Sequence, residues 1–282
     1  MLLFKTVQDI DNQLKSLKKK GLKIGYVPTM GALHLGHISL IKAAKKRSKV
    51  VVCSIFVNPT QFNDLKDFER YPVTIEGDIE KLAEAGCDIL FLPSVAEMYP
   101  NGYENPARID FGFLAQTLEG GHRPGHFDGM AQVVEKLLRI VKPDVLLMGQ
   151  KDYQQQLIVG ELIRKRRFKT QLVACPTVRE ADGLAMSSRN VRLNTDSRKK
   201  AVEISKTLQW AKSQIANRES DIGSIRASAF KRLAAVTGFD PEYFEIRNTQ
   251  TLELPRSKRE KLVALAAVKV GGVRLIDNMV LN

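Results

Sequence analysis

The sequence predicts an α/β fold, a parallel sheet with helices on both faces, followed by a smaller α+β domain. Three observations predict it. Short apolar runs of strand length alternate with amphipathic runs of helix length as far as Cys175, the pattern of βαβ units. A glycine-containing turn leads from the first of these strands directly into a helix. Beyond about Pro176 the alternation stops, and two helical stretches precede three strand-like runs.

Taken in order, Val7–Lys20 reads as the first helix, with Gly21 just past its end. Ile24–Val27 is the first buried strand, and Gly36–Lys49 the helix that follows its turn. Val50–Val57 and Ile89–Leu92 are the next strands, with a helix over Ile75–Ala85 between them. A helix over Met130–Val141, a strand over Val145–Met148, a helix over Tyr153–Arg167 and a strand over Leu172–Cys175 complete the series. The strand runs are apolar nearly throughout, with Ser54 inside Val50–Val57, as in sheets covered on both faces. Right-handed crossovers then place ligands at the carboxyl ends of the strands, so residues 1–177 read as a Rossmann-like domain. Residues 178–282 read as the smaller domain, with helices over Asp196–Ala216 and Ile222–Thr237 and strands near Tyr243–Arg247, Leu262–Val270 and Val273–Ile276.

Composition narrows the function classes. The chain has 282 residues, enough for two modest domains at about 100–200 residues each. With 44% hydrophobic and 27% charged residues, neither disorder nor a fibrous repeat fits. The longest apolar stretch, Val50 to Val57, falls far short of the roughly 20 residues of a membrane-spanning helix. Met1 to Lys5 lack the features of a secretory leader, so a cytoplasmic location and no membrane partner are expected. Cys53, Cys87 and Cys175 are odd in number and far apart, and read as reduced packing residues. The net charge of +13 points to anionic partners. Its clusters at Lys18–Lys20, Lys45–Arg47, Arg164–Arg167 and Arg256–Lys261 sit near helix ends or in loops, where solvated faces account for them. Only Phe168 interleaves an aromatic ring with them, so a nucleic-acid partner is not expected.

The first buried strand runs into Pro28-Thr29-Met30-Gly31-Ala32-Leu33-His34-Leu35-Gly36-His37. A strand, a turn and a helix N-terminus make an anion site, because the first N–H groups of the helix have no intrahelical partner and the macrodipole adds about half a positive charge. His34 and His37 share a side of that helix, where imidazoles can donate to phosphate oxygens, and Gly36 admits a base or ribose close to the backbone. Two packed histidines, or half a metal site, would show the same spacing. The glycines and the preceding strand favour nucleotidyl transfer.

His122 and His126 form a second pair, but Pro124 and Gly125 break any helix between them and no Cys or HExxH pattern accompanies them. Gly120 to Phe127 reads instead as a mobile active-site loop supplying Arg123 and His126. Gly149-Gln150-Lys151-Asp152 follows a strand, with Lys151 as a point charge for phosphate. An ordinary turn with Asp152 capping the next helix would look the same. Met186-Ser187-Ser188-Arg189 offers two hydroxyls and a guanidinium for phosphate oxygens. An early His-x-Gly-His and a late Ser-Ser-Arg loop match the two-part arrangement of adenylate-forming Rossmann-like enzymes. Neither GxxxxGK[ST] nor GxGxxG occurs, which removes P-loop kinases and dinucleotide dehydrogenases.

In these and further segments the chain resembles the pantothenate synthetase family, whose members are also called pantoate:β-alanine ligases. The matching segments are Pro28 to His37, Phe56 to Phe62, Tyr71-Pro72, Leu118 to Gly121, Arg123 to Phe127, Gly149 to Gln155 and Val178 to Asn190, in the family's order across nearly the whole chain. The resemblance implies ATP-dependent condensation of (R)-pantoate with β-alanine through a pantoyl-adenylate, giving pantothenate, AMP and pyrophosphate, with Mg²⁺ and in a homodimer held by the N-terminal domain. It implies that Met30, Gly31, Ala32, Leu33, His34, Leu35, Gly36 and His37 line the ATP site, with His37 as proton donor. Gly149, Gln150, Lys151, Asp152, Val178, Met186, Ser187, Ser188 and Arg189 would contact ATP, and Gln61 and Gln155 would hold pantoate, Gln61 also lying near β-alanine. The chain departs from the family at Thr60, where Met is usual, at Val73, where Arg is common, and at Gly77, where an acidic residue often precedes Asp78. The last departure leaves the metal ligands unassigned.

The chemistry follows from ordinary acidities. A carboxylate with a pKa of about 4 is ionised at pH 7 and attacks the α-phosphorus without a general base. Charge builds on the departing pyrophosphate, which assigns His34, His37, Lys151 and Mg²⁺ to its stabilisation. An alkyl amine, with a pKa of about 10, must lose a proton before attacking the acyl-adenylate, and His34 and His126 are the candidate bases. The mixed anhydride hydrolyses in water, so closure of the domain carrying the Ser-Ser-Arg loop is expected. Two other readings compete: another adenylyl- or cytidylyltransferase of the same fold with a different acceptor, and a basic RNA-binding protein without catalysis.

Overall fold

The computed structural model describes residues 1–62, 65–103, 109–216 and 221–282. The chain divides into two compact units, Met1–Gly149 with Gln154–Pro176, and Gln150–Tyr153 with Thr177–Asn282. Gln150–Tyr153, which the sequence groups with the first domain, cluster with the second. The cause lies in hydrogen bonds the sequence does not reveal: the Asn278 amide donates to the Gln150 and Lys151 carbonyls, and the Tyr153 hydroxyl to the Thr249 carbonyl.

The first unit runs β1 (Leu2–Phe4), α1 (Val7–Lys19), β2 (Ile24–Thr29), α2 (Leu35–Lys45), β3 (Val50–Ile55), a 3-10 turn (Pro59–Gln61), α3 (Leu65–Glu69), α4 (Ile75–Glu84), β4 (Ile89–Phe91), α5 (Val95–Met98), α6 (Phe113–Gln116), α7 (Glu119–His122), α8 (His126–Val141), β5 (Val145–Gly149), α9 (Tyr153–Lys165) and β6 (Gln171–Cys175). Its six strands are parallel in the order β1-β4-β3-β2-β5-β6. Successive residues of a strand point to opposite faces. Val50 and Val52 therefore enter one apolar core with Ile10, Leu14, Met130 and Leu138, while Val51, Cys53 and Ile55 enter another with Leu40, Ile41 and Leu82. Burial on both faces is what makes the strand runs apolar nearly throughout in the sequence. The pattern does not reveal β1, a three-residue edge strand too short to show a period, which is held by pairing Leu2–Phe4 with Ile89–Phe91.

Helix α8 begins at His126, four residues before the expected start. Gly125, with φ +79°, acts as its N-cap rather than as a break. Residues Gly120 to Phe127 are thus not one loop: α7 takes up Glu119–His122, and His126 and Phe127 lie buried at the start of α8. All three cysteines are buried thiols. Burial pushes all three thiols up, Cys87 to about 11.

The second unit carries α10 (Thr195–Lys200), α11 (Val202–Ala216), α12 (Ile222–Ala234), β7 (Phe239–Asn248), β8 (Leu262–Val270) and β9 (Val273–Val280). Its antiparallel sheet has the order β7-β8-β9, and Leu208, Ala211 and Leu233 of the helices pack with Phe244, Ala264, Ala266 and Val268. The stretch expected as one helix over Asp196–Ala216 is two, divided at Ala201. No helix among the described residues is long and apolar enough to cross a membrane.

Candidate active site

The strand order puts β2 between β3 and β5, so the segment after β2 starts beside the end of β3 and beside Gly149, the last residue of β5. The chain leaves β2 toward β3 on one side and later returns to β5 on the other. Open α/β sheets bind ligands at such a reversal, outside the carboxyl ends of the strands.

The turn after β2 is held from below. The Thr29 hydroxyl donates to the Ser54 carbonyl (2.8 Å) and accepts the Gly31 N–H (3.2 Å). Gly31 has φ +84°, and a Cβ there would come 3.1 Å from Ile55 Cγ2 and 3.2 Å from Asp78 Oδ2. Only glycine meets both conditions without strain. Asp78, fully buried on α4, accepts the Ala32 and Leu33 N–H groups at 2.8 Å each and the Thr74 hydroxyl at 3.1 Å. Lys81, also on α4, donates to the Leu33 carbonyl at 2.8 Å. The Leu33 side chain is buried in the core, its N–H faces Asp78 and its carbonyl faces Lys81, so Leu33 shapes the turn. Leu35, by contrast, is 64% exposed.

His34 is the N-cap of α2. Its Nδ1 accepts the Gly36 N–H at 3.1 Å, and the His37 Nδ1 accepts the His34 N–H at 3.3 Å, a reciprocal capping arrangement. The two rings lie 4.0 Å apart between centroids, tilted by 38°. Because both Nδ1 atoms accept, the hydrogen bonds assign the hydrogen of each neutral ring to Nε2. The expected anion site is therefore altered in kind. The Gly36 N–H is occupied by a ring and the His37 N–H by the His34 carbonyl, so the donors are imidazole Nε2–H groups rather than those amides. An Nε2 that carries hydrogen is a donor, the form that suits stabilisation of the leaving charge.

Past β3, Asn58, 1% exposed, donates to Thr60 Oγ1 (3.0 Å) and the Gly129 carbonyl (3.2 Å) and accepts the Tyr99 hydroxyl (2.8 Å). Thr60, at the position where Met is usual, thus has its hydroxyl on Asn58. Gln61 closes the turn with its amide 2.7 Å from Met30 Sδ, which brings together two residues expected at the site. His126 sits behind it: Nδ1 lies 2.8 Å from the Gln61 carbonyl and Nε2 3.1 Å from Arg123 Nη1, with Glu119 3.8 Å from the same guanidinium nitrogen. Arginine only donates, so His126 accepts at Nε2 and donates from Nδ1 to Gln61. Its lone pair faces the Arg123 guanidinium, and its Nδ1 supports the Gln61 backbone. A mobile loop supplying it is corrected, since burial and these two bonds fix the ring.

Helix α8 presses on this turn at Gly129, where a Cβ would stand 2.2 Å from the Thr60 oxygen and 3.0 Å from the Gln61 nitrogen. Gly129→Ala is expected to destabilise the protein by about 1–3 kcal/mol in urea unfolding, despite the better helix propensity of alanine, because the obstacle is backbone. It should also raise KM for an acid substrate bound by Gln61 more than KM for ATP. Unchanged KM values would show that the turn does not position Gln61.

Gln155 lies in the first turn of α9, partly buried. Its neighbour Gln154, which sequence reasoning passed over, is 3% exposed and ties α9 to the Leu114 and Thr117 carbonyls and the Glu119 N–H. Asn58, Asp78 and Gln154 find partners far away in sequence, so no local pattern marks them as supports. Val73 is exposed, and a Cβ at Gly77 would meet nothing within 4 Å.

In the second unit, Lys151 lies in a 3-10 turn (Gln150–Asp152) with its ammonium 3.8 Å from the Asp152 carboxylate. Val178 to Met186 form a hairpin closed by Met186 N–H to the Val178 carbonyl (3.0 Å) and Glu180 N–H to the Leu184 carbonyl (2.8 Å). Val178 and Met186, separated by the turn of the hairpin in sequence, are thus adjacent. Ser187 caps a 3-10 turn over Ser188–Arg192 and accepts the Arg189 N–H at 3.3 Å. Among the described residues no group of three or more His, Cys, Asp or Glu could hold a metal ion.

A family model described as pantoate-beta-alanine ligase matches residues 2–280. The chain belongs to the pantoate–β-alanine ligase family. It is accordingly an acid–amino-acid ligase, and its fold is that of the family's solved members. The pantothenate synthetase of Cytophaga hutchinsonii is 44% identical over 283 residues, covering 100% of this chain and 99% of the relative. That of Pseudomonas fluorescens is 44% identical, with 99% and 97% covered. A crystal structure of pantothenate synthetase from Thermus thermophilus superposes with a TM-score of 0.93 at 38% identity, covering 100% and 99% of the two chains. The Francisella tularensis pantoate-beta-alanine ligase, described as complexed with beta-gamma ATP and beta-alanine, gives a TM-score of 0.82 at 38% identity, with 99% and 97% covered.

Proposed function

We propose that the chain condenses (R)-pantoate with β-alanine in two steps, forming a pantoyl-adenylate from ATP with release of pyrophosphate, then pantothenate with release of AMP. The observation that carries this reading is the reciprocal capping of His34 and His37, which sets two Nε2–H donors at the carboxyl edge of the sheet, at the start of the helix after β2. The ligand pair of the Francisella relative supports ATP and β-alanine as substrates.

In the first step a carboxylate oxygen of pantoate bonds to the α-phosphorus of ATP as the bond to the pyrophosphate oxygen breaks. Gln61 and Gln155 hold pantoate through neutral amides, which bind its hydroxyls without trapping the nucleophilic carboxylate in an ion pair. His34, His37 and Lys151 stabilise the leaving charge, while Ser187, Ser188 and Arg189 bind phosphate oxygens. Met30, Gly31, Ala32, Leu33, Leu35, Gly36, Gly149, Gln150, Asp152, Val178 and Met186 complete the nucleotide contacts. In the second step the amine of β-alanine attacks the acyl carbon and AMP leaves, the amine proton passing to a base for which His34 and His126 are the candidates.

Mg²⁺ typically keeps several waters and takes substrate phosphates with one or two carboxylates. The residues near the turn do not form a cage for it, since both Asp78 oxygens accept backbone N–H groups, and no step here is routed through the ion. We place the enzyme in the cytoplasm as a homodimer, which sedimentation velocity checks.

The test is exchange of labelled pyrophosphate into ATP without β-alanine, which should require pantoate, followed by stoichiometric AMP and pantothenate once β-alanine is added. Exchange that needs a different acid, or none, would favour another nucleotidyltransferase of the same fold.

A further inference from the structure

We propose that Asp277 and Asn278, adjacent residues of β9, are positioning residues for adenylation: a single anchor that sets both the turn carrying Lys151 and the hairpin leading into Ser187–Arg189. The proposal rests on the reading that Lys151 acts on ATP. It is carried by geometry within the second unit. Asn278, 3% exposed, sends both amide hydrogens to consecutive carbonyls, Gln150 at 3.0 Å and Lys151 at 2.8 Å. Those two acceptors fix the orientation of the amide, since a flipped group would set its oxygen against two carbonyl oxygens. Asp277, 4% exposed, grips Arg179 with both carboxylate oxygens, at 2.7 and 3.0 Å. Arg179 in turn donates to the Gly183 carbonyl at the tip of the hairpin (3.1 Å) and to the Asn278 carbonyl (3.3 Å).

Neighbours on a strand point to opposite faces, so one dipeptide can reach two segments in two directions. The cross-strand partners of the pair on β8 are Ala266 and Leu265, both apolar. Apolar residues would fill such buried positions at less desolvation cost, and a buried ion pair is weak evidence for stability. What the polar pair supplies is direction: its hydrogen bonds fix the placement of two backbone segments.

The test measures single-turnover formation of pantoyl-adenylate by the full-length enzyme, and separately the attack of β-alanine on added pantoyl-adenylate. Asn278→Asp keeps the shape but turns a carboxylate toward two carbonyls, and Asn278→Ala removes the donors together with the amide oxygen, which is buried and accepts no hydrogen bond. Each is expected to slow adenylation by about 10–100-fold, the scale of a misplacement of roughly an ångström, and to leave the β-alanine step within about threefold. Lys151→Ala combined with Asn278→Ala should be no slower than Lys151→Ala alone, because both act through one group. Thermal melts establish that each variant is folded, and if Asn278→Asp is not, Asn278→Ala decides. Equal losses in both steps, or losses that multiply in the double variant, would show a merely structural role and overturn the inference. Lys151→Ala at full rate would overturn the role of Lys151 itself, and this inference with it.

Discussion

Lys151→Ala is expected to slow pantoyl-adenylate formation by about 10²–10³, the cost of losing one transition-state donor. The Lys151 side chain is only 19% exposed, so its charge acts where solvent screens it less than at the open surface. Because the charge it meets grows as pyrophosphate departs, the loss should fall on the single-turnover rate and leave pantoate binding nearly unchanged. His34→Ala should lose rate on the same scale, but it also removes a helix cap worth about 1 kcal/mol. His34→Asn separates the two effects. Asparagine caps a helix well and offers no Nε2–H, so this variant should keep its thermal midpoint and still be slow. Rapid-quench rates within threefold of the unaltered enzyme for either Lys151→Ala or His34→Asn would refute the corresponding role.

Asp78→Ala should have the largest effect on stability. It leaves the Ala32 and Leu33 N–H groups without their acceptor in a buried setting, at about 1–3 kcal/mol each. The turn that delivers His34 would relax with it, so adenylation should fall together with the urea midpoint. Asp78→Asn is the sharper probe. It preserves volume but can accept with only one of its two terminal atoms, so either Ala32 or Leu33 loses its partner. An Asp78→Asn enzyme with full activity and an unshifted unfolding curve would show that Gly31 and Lys81 hold the turn unaided.

Much of the site was legible because its chemistry is local. The Pro28 to His37 segment is continuous, and its strand, glycine and helix start can be read in order. The same holds for Gln150–Asp152 and Met186–Arg189, short runs whose residue types suit phosphate. Asp78 was not legible as a support, since it lies more than forty residues from the amides it receives. Nor was His126 behind Gln61, 65 residues apart. Glycine and proline near His126 suggested a loop, yet Gly125 in a left-handed conformation starts α8.

The sequence by itself determined the alternation of the longer strands and helices, the division into an α/β and an α+β part, and the residue types available for adenylation, because periodicity, turn chemistry and capping act over a few residues. The tertiary structure alone decided which residues are held in supporting hydrogen bonds. Only contacts across long sequence separations bring a carboxylate beneath a turn or an amide behind two carbonyls, and only those contacts assign which imidazole nitrogens donate. The capping of His34 and His37 stands between the two: its residues are adjacent in the chain, but its tautomers follow from the folded geometry.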